Sequence, residues 1–210
     1  MTLQNGMIGA QKAYLWADTG YWDINTGTLV GHDVKMFQGT DWPWAGALTT
    51  WGAPPRDLIS DISFGNVKTL DSLLLSTVEA LRRFVANGGG GRVAIASFTD
   101  RPRLHMIACH VLFPGSGYGA FEPTEVDHFV CSGVESLAYQ QAAANGFTPE
   151  RMRAVIDMQC VTPWGLQGPL AALGPRVWAA GNVVRVEVGP KGVTSAVERA
   201  VDNRPGVLAS

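Results

Sequence analysis

The residue whose position could turn an ordinary side chain into a reagent is Thr2. A threonine hydroxyl is a poor nucleophile, but on a first residue it sits beside a free α-amine, whose ordinary pKa of about 8 suits a general base acting directly or through water. Thr2 is small enough for an aminopeptidase to remove Met1, so such chemistry needs no propeptide. Other reactive types are spaced less usefully. In a strand, His105 and Cys109 fall on one face and His110 on the other, so the three do not converge on a metal. His128 beside Asp127 and His32 beside Asp33 read as solvated loop pairs. Ser132 lacks a Gly-x-Ser-x-Gly elbow and has no histidine nearby in sequence. Residues 88–91 lead from a helix into a strand and lack the Gly-Lys-Ser/Thr ending of a phosphate loop. Residues 115–119 open no helix, which excludes a dinucleotide fingerprint and suits a loop bordering a cleft.

These residues must be held by elements that the pattern partly reveals. Short apolar runs at 13–18, 29–37 and 44–51, separated by Asp, Asn, Gly and Thr, predict a first third that is mostly β. Leu70, Leu74, Val78, Leu81 and Val85 recur at helical spacing between a capping Thr69 and a terminating Gly88. Strands at 92–98 and 104–113 flank a turn at Asp100-Arg101-Pro102. A helix from Gly133 to Ala144 breaks at Gly146, and a second starts at Thr148-Pro149-Glu150. A strand at 182–188 and a short helix at 194–201 precede a tail expected to fray after about 202. Helices that fall in blocks point to antiparallel sheets covered by helical layers.

With those elements in place, the N-terminal residues resemble the proteasome β subunits and the bacterial HslV-type proteases, a family of N-terminal-nucleophile hydrolases. That family follows its threonine with a strand, a turn, and a second strand ending in Ala-Asp or Gly-Asp. Here Thr2 is followed by a turn at Gly9-Ala10 and then Ala17-Asp18-Thr19-Gly20, with Asp18 sixteen positions after Thr2, the family's own step. Val34-Lys35-Met36-Phe37 supplies the lysine one position later than is usual, and the loop at 21–27 can absorb the extra residue. Residues 44–51 run into Gly52-Ala53, and Cys131-Ser132-Gly133 resembles the family's Gly-Ser-Gly turn.

The resemblance implies an α+β fold, a four-layer αββα sandwich of two antiparallel sheets with outer helical layers, spanning residues 1–210 as one domain. It implies catalytic roles for Thr2, Asp18, Lys35 and Ser132. Lys35 would favour the Thr2 alkoxide by charge, Asp18 would hold Lys35 protonated, and Ser132 would lie near the amine. A backbone N–H from residues 50–53 would meet the oxyanion. No metal or organic cofactor is implied, the substrate class is a peptide or amide, and self-association into a homo-oligomer or ring is expected by analogy. Taken without the resemblance, Asp18 and Lys35 read as a strand-end turn residue and a solvated lysine. The family's second aspartate is missing from Met158-Gln159-Cys160-Val161-Thr162, and Asp157 falls too early. The alternative is therefore a catalytically silent subunit with a structural or assembly role, which a retained Met1 would also favour.

Composition sets the outer bounds. The 210 residues are 46% apolar, enough for one substantial core, and 16 basic against 18 acidic residues leave a net charge of −2. Nothing forms the basic footprint that nucleic acid or an anionic membrane requires. Seven tryptophans in a chain with only 16% charged residues leave two uses open, filling the core or lining a subunit interface. Three unclustered cysteines, no leader pattern and no long apolar run predict a cytoplasmic protein.

Overall fold

Residues 3–23, 25–63, 67–111, 119–131, 136–165, 172 and 174–201 are described by the computed structural model of the chain. The first half holds β1 (Gln4–Ile8), β2 (Ala13–Asp18), β3 (Gly20–Asp23), β4 (Thr28–His32), β5 (Met36–Gln38) and β6 (Trp44–Trp51). Then come α1 (Pro55–Ser63), α2 (Leu70–Ala86), β7 (Gly90–Phe98), β8 (Pro102–Ala108), β9 (Thr124–Glu125) and β10 (His128–Cys131). The remainder is α3 (Leu137–Asn145), α4 (Pro149–Gln159), β11 (Gly181–Gly189) and β12 (Gly192–Val201). The fold is mixed α+β, and every strand pairing is antiparallel. One sheet runs β10-β1-β2-β11-β12, another runs β5-β6-β7-β8-β9, and β3-β4 form a two-stranded third.

Strand alternation explains how the large sheets meet. Ala13, Leu15 and Ala17 of β2 share a buried cluster with Ala45 and Ala47 of β6 and with Ala94 and Ala96 of β7. Small residues on both facing strands let the backbones approach closely. Gly6 serves the same end, since a Cβ there would lie 2.4 Å from Phe129 and 3.2 Å from Leu104. On the opposite face of the β6-β7 sheet, Leu48, Val93 and Ile95 pack against Leu58 and Ile62 of α1 and Leu73, Leu81 and Phe84 of α2. On the opposite face of the β1-β2 sheet, Met7, Trp16 and Val183 pack against Met152 and Ile156 of α4, beside which α3 lies.

The signals for α2 work as the sequence predicts. Thr69 Oγ1 accepts from the Ser72 N–H at 3.2 Å and Ser72 Oγ accepts from the Thr69 N–H at 3.0 Å, a reciprocal cap in which serine takes the usual Glu or Gln position. Gly88, at φ +86°, turns the chain out of the helix while Gly89 N–H bonds the Phe84 carbonyl.

Two expectations are corrected. The run at 29–37 is two strands, because the Asp33 carboxylate accepts from the Val34 N–H at 2.8 Å and withdraws that segment from pairing. Residues 194–201 form a strand, not a helix. Gly192, at φ +117°, completes a tight turn, and Val193, Thr194 and Val197 extend the hairpin with β11. Residues 55–63, to which the sequence pattern assigns no element, form α1, whose Pro55 opens the first turn and whose Leu58 and Ile62 point inward four positions apart. Tryptophan use also resolves toward the core: Trp16, Trp22, Trp44, Trp164 and Trp178 are buried, and Trp42 and Trp51 half-buried. The helix start at 133, the glycine run at 115–118 and the tail after 201 lie outside the described residues.

Candidate functional site

Asp18, at the end of β2, pairs in register with Val183 of β11 and is fully buried. Lys35 lies in the segment between β4 and β5, where its carbonyl accepts from the Leu48 N–H at 2.9 Å and ties it to β6. From these two backbones the side chains converge. Lys35 Nζ stands 3.1 Å from Asp18 Oδ1 and also donates to the Gly20 carbonyl, while Asp18 Oδ2 accepts from the Ala180 N–H at 2.9 Å. Lys35 is 3% exposed, so it is not the solvated lysine its sequence neighbourhood suggests taken alone. Gly20 permits the arrangement, because a Cβ there would lie 2.5 Å from Ala180 Cβ and 3.1 Å from Asp18 Oδ2.

Burial sets the electrostatics of this pair. Loss of hydration pushes the Asp18 carboxyl up, and the Lys35 charge and the Ala180 N–H pull it back. The same loss pushes the Lys35 amine down, opposed by Asp18. Burial thus works against the charges of both groups and their mutual attraction works for them, in a dry setting where that attraction is little screened.

The start of β1 is fastened to the same end of both large sheets. The Leu3 carbonyl accepts from the Asp18 N–H at 3.2 Å. Gln4, fully buried, donates from Nε2 to the Ala47 carbonyl at 2.7 Å, and its Oε1 accepts from Thr49 Oγ1 at 3.2 Å and from Arg92 Nε at 2.8 Å. Asn5 donates from Nδ2 to Gln159 Oε1 at 2.7 Å, and its Oδ1 accepts from the Cys131 N–H at 3.1 Å. Of the four residues assigned roles by resemblance, Asp18 and Lys35 are thus in contact. Thr2 and Ser132 lie outside the described residues, and their chain neighbours Leu3 and Cys131 are bound as above.

The buried Asn5–Gln159 amide pair is a feature the sequence reading missed. Gln159 closes α4 at 2% exposure and sits in the stretch from which the second aspartate is missing. The weak strand propensity of Gln4-Asn5-Gly6 was its only signal: polar residues in a central strand must find buried partners. Across the second sheet, the turn at 50–53 is built around Gly52 at φ +79°, where a Cβ would lie 2.6 Å from the Gly88 carbonyl oxygen, and Thr50 Oγ1 donates to the Ala53 carbonyl at 3.3 Å.

The remaining reactive residues do not assemble. His105 lies in β8, 7% exposed, with Nδ1 lacking a hydrogen-bond partner among the described residues and Nε2 4.0 Å from Glu125. Cys109 accepts from the Gly91 N–H at 3.2 Å, and the His110 ring lies 5.8 Å from that of Trp51. His128 stacks on Phe147 at 4.1 Å. His32 and Asp33 border an open cleft of about 680 Å³ together with Thr19, Gly181, Asn182 and Val201. Among the described residues no three His, Cys, Asp or Glu side chains could jointly hold a metal, and no helix is long and apolar enough to cross a membrane.

The histidines make acid the destabilising direction. Burial holds His105 below its ordinary 6.5, with Glu125 only partly opposing it. A folded-state pKa below the unfolded one contributes stability that is present above pH 6.5 and is lost as pH falls through the depressed value. His110, lowered by burial and by Arg92, and His128, lowered by burial against Asp127, act in the same sense. The urea midpoint of the parent is expected to decline from pH 6.5 downward, and His105→Leu to decline less steeply. A parent midpoint that is flat over that window would show imidazoles that charge freely in the fold.

No protein-family model and no curated protein matches the chain.

Proposed function

We propose that the chain is an N-terminal-nucleophile hydrolase of the proteasome-like type, in which Thr2, exposed by removal of Met1, cleaves a peptide or amide bond. The observation that carries this reading is the buried Lys35–Asp18 pair, with the Asp18 N–H bonded to Leu3, the residue that follows Thr2. Two facing sheets with helices on their outer faces support an αββα sandwich, the architecture that goes with such chemistry.

In the proposed reaction the Thr2 Oγ attacks the scissile carbonyl carbon while its proton passes to the α-amine. Lys35 stabilises the developing alkoxide by charge, Asp18 orients the ammonium, and a backbone N–H of the turn at 50–53 receives the oxyanion. Collapse breaks the C–N bond, and the leaving amine takes the proton from the N-terminal ammonium. Water then hydrolyses the threonine ester, with the α-amine again as base, and releases the acid. Ser132 supports the amine in this reading, and no cofactor takes part.

The test is hydrolysis of a panel of fluorogenic peptides by protein lacking Met1. Cleavage that disappears in Thr2→Ala supports the reading, and cleavage that persists there refutes it. A second reading, a catalytically silent subunit with a structural or assembly role, is favoured by Gln159: an amide paired with Asn5 occupies the stretch where a second carboxylate would support the amine. Either reading includes self-association into a homo-oligomer or ring in the cytoplasm, and sedimentation as a monomer at working concentration would contradict that part.

A further inference from the structure

Arg92 in β7 carries a positive charge that the described protein does not neutralise. Its partners follow from strand order. Ala94 and Ala96 of the same strand face the inter-sheet cluster, so alternation turns Arg92 the same way, toward the start of β1. There Nε donates to Gln4 Oε1 at 2.8 Å, and Gln4 is itself locked by Ala47 and Thr49. Anchored at Nε, the guanidinium is pre-oriented, yet no carboxylate lies within ion-pair reach of it among the described residues. A half-buried guanidinium with both terminal nitrogens uncommitted forfeits hydration without an internal partner. Its field is felt nearby, helping to hold His110 below its ordinary value.

Register also gives its distance from the proposed chemistry. Arg92 pairs with Thr49 of β6, and the adjacent Leu48 N–H binds the Lys35 carbonyl. Two strand spacings therefore separate the Arg92 and Lys35 backbones, about 10 Å. An extended peptide covers that span in about three residues. We propose that Arg92 is a specificity-determining residue whose terminal nitrogens bind a carboxylate of the substrate, so that the amide cleaved lies within about three residues of an acidic side chain. The proposal deepens the hydrolase reading and rests on it for the reaction, though not for the binding of the carboxylate.

Two measurements separate those dependencies. The first compares fluorogenic peptides identical except for Glu or Gln at each of the three positions on either side of the cleaved amide. The parent is expected to favour the Glu peptide by about 10- to 100-fold in kcat/KM at one of these positions, the range for a charge-assisted bidentate contact. Arg92→Gln is expected to bring that ratio close to one, and Arg92→Lys to leave part of it. A parent without preference, or an Arg92→Gln protein that keeps it, overturns the proposal. If no peptide is cleaved, the hydrolase reading fails and calorimetric titration with glutarate decides the binding claim. Glutarate bound by the parent and at least about tenfold more weakly by Arg92→Gln upholds it. Equal binding, or none by the parent, overturns it.

Discussion

Replacing Asp18 by alanine is expected to remove about 3–5 kcal/mol of folding stability, a large share of what a domain of this size possesses. The magnitude follows from what is left behind. Lys35 is 3% exposed, and the variant takes from its buried amine the carboxylate that stands 3.1 Å away. The Ala180 N–H would also lose its acceptor. Lys35→Met strands the opposite charge, for which the Ala180 N–H is a partial remedy. The double variant Asp18→Leu with Lys35→Met removes both charges and is expected to recover much of the loss, because a buried pair exchanged for apolar side chains is often neutral. Urea midpoints of the four proteins form the cycle. A single-variant cost below about 1 kcal/mol would identify a solvated pair.

The second large effect concerns rate. With Thr2 as nucleophile, Thr2→Ala is expected to lower kcat for peptide cleavage by at least about 10⁴-fold, the scale on which removal of an attacking hydroxyl acts elsewhere. Thr2→Ser keeps both the hydroxyl and the adjacent amine, and is expected to keep measurable turnover. Unfolding midpoints measured on the same samples separate the two positions: Asp18→Ala loses stability together with rate, whereas Thr2→Ala loses rate alone.

How far the sequence reveals this arrangement differs from residue to residue. Asp18 and Lys35 are singled out only by the resemblance, through their steps from Thr2; taken alone they read as a strand-end turn residue and a solvated lysine. The burial of Lys35 is not legible: it depends on a Gly20 that lets Ala180 approach and on the Asp18 side chain, contacts between residues apart in the chain. Helix α2 is readable because cap, apolar stripe and glycine stop agree locally. Residues 194–201 deceive, because Ala196, Val197, Ala200 and Val201 fit a helical stripe, and pairing with β11 outweighs it. The Asn5–Gln159 pair and the Gln4–Arg92 bond join residues 154 and 88 positions apart, which no local pattern encodes.

The most direct test of the central claim is to treat the protein with a threonine-reactive β-lactone, digest it with trypsin, and weigh the N-terminal peptide. The expected product is a peptide running from Thr2 to Lys12, without Met1 and carrying one acyl adduct on Thr2. An N-terminal peptide that retains Met1, or one that begins at Thr2 and remains unmodified while the probe labels elsewhere or nowhere, would contradict the claim.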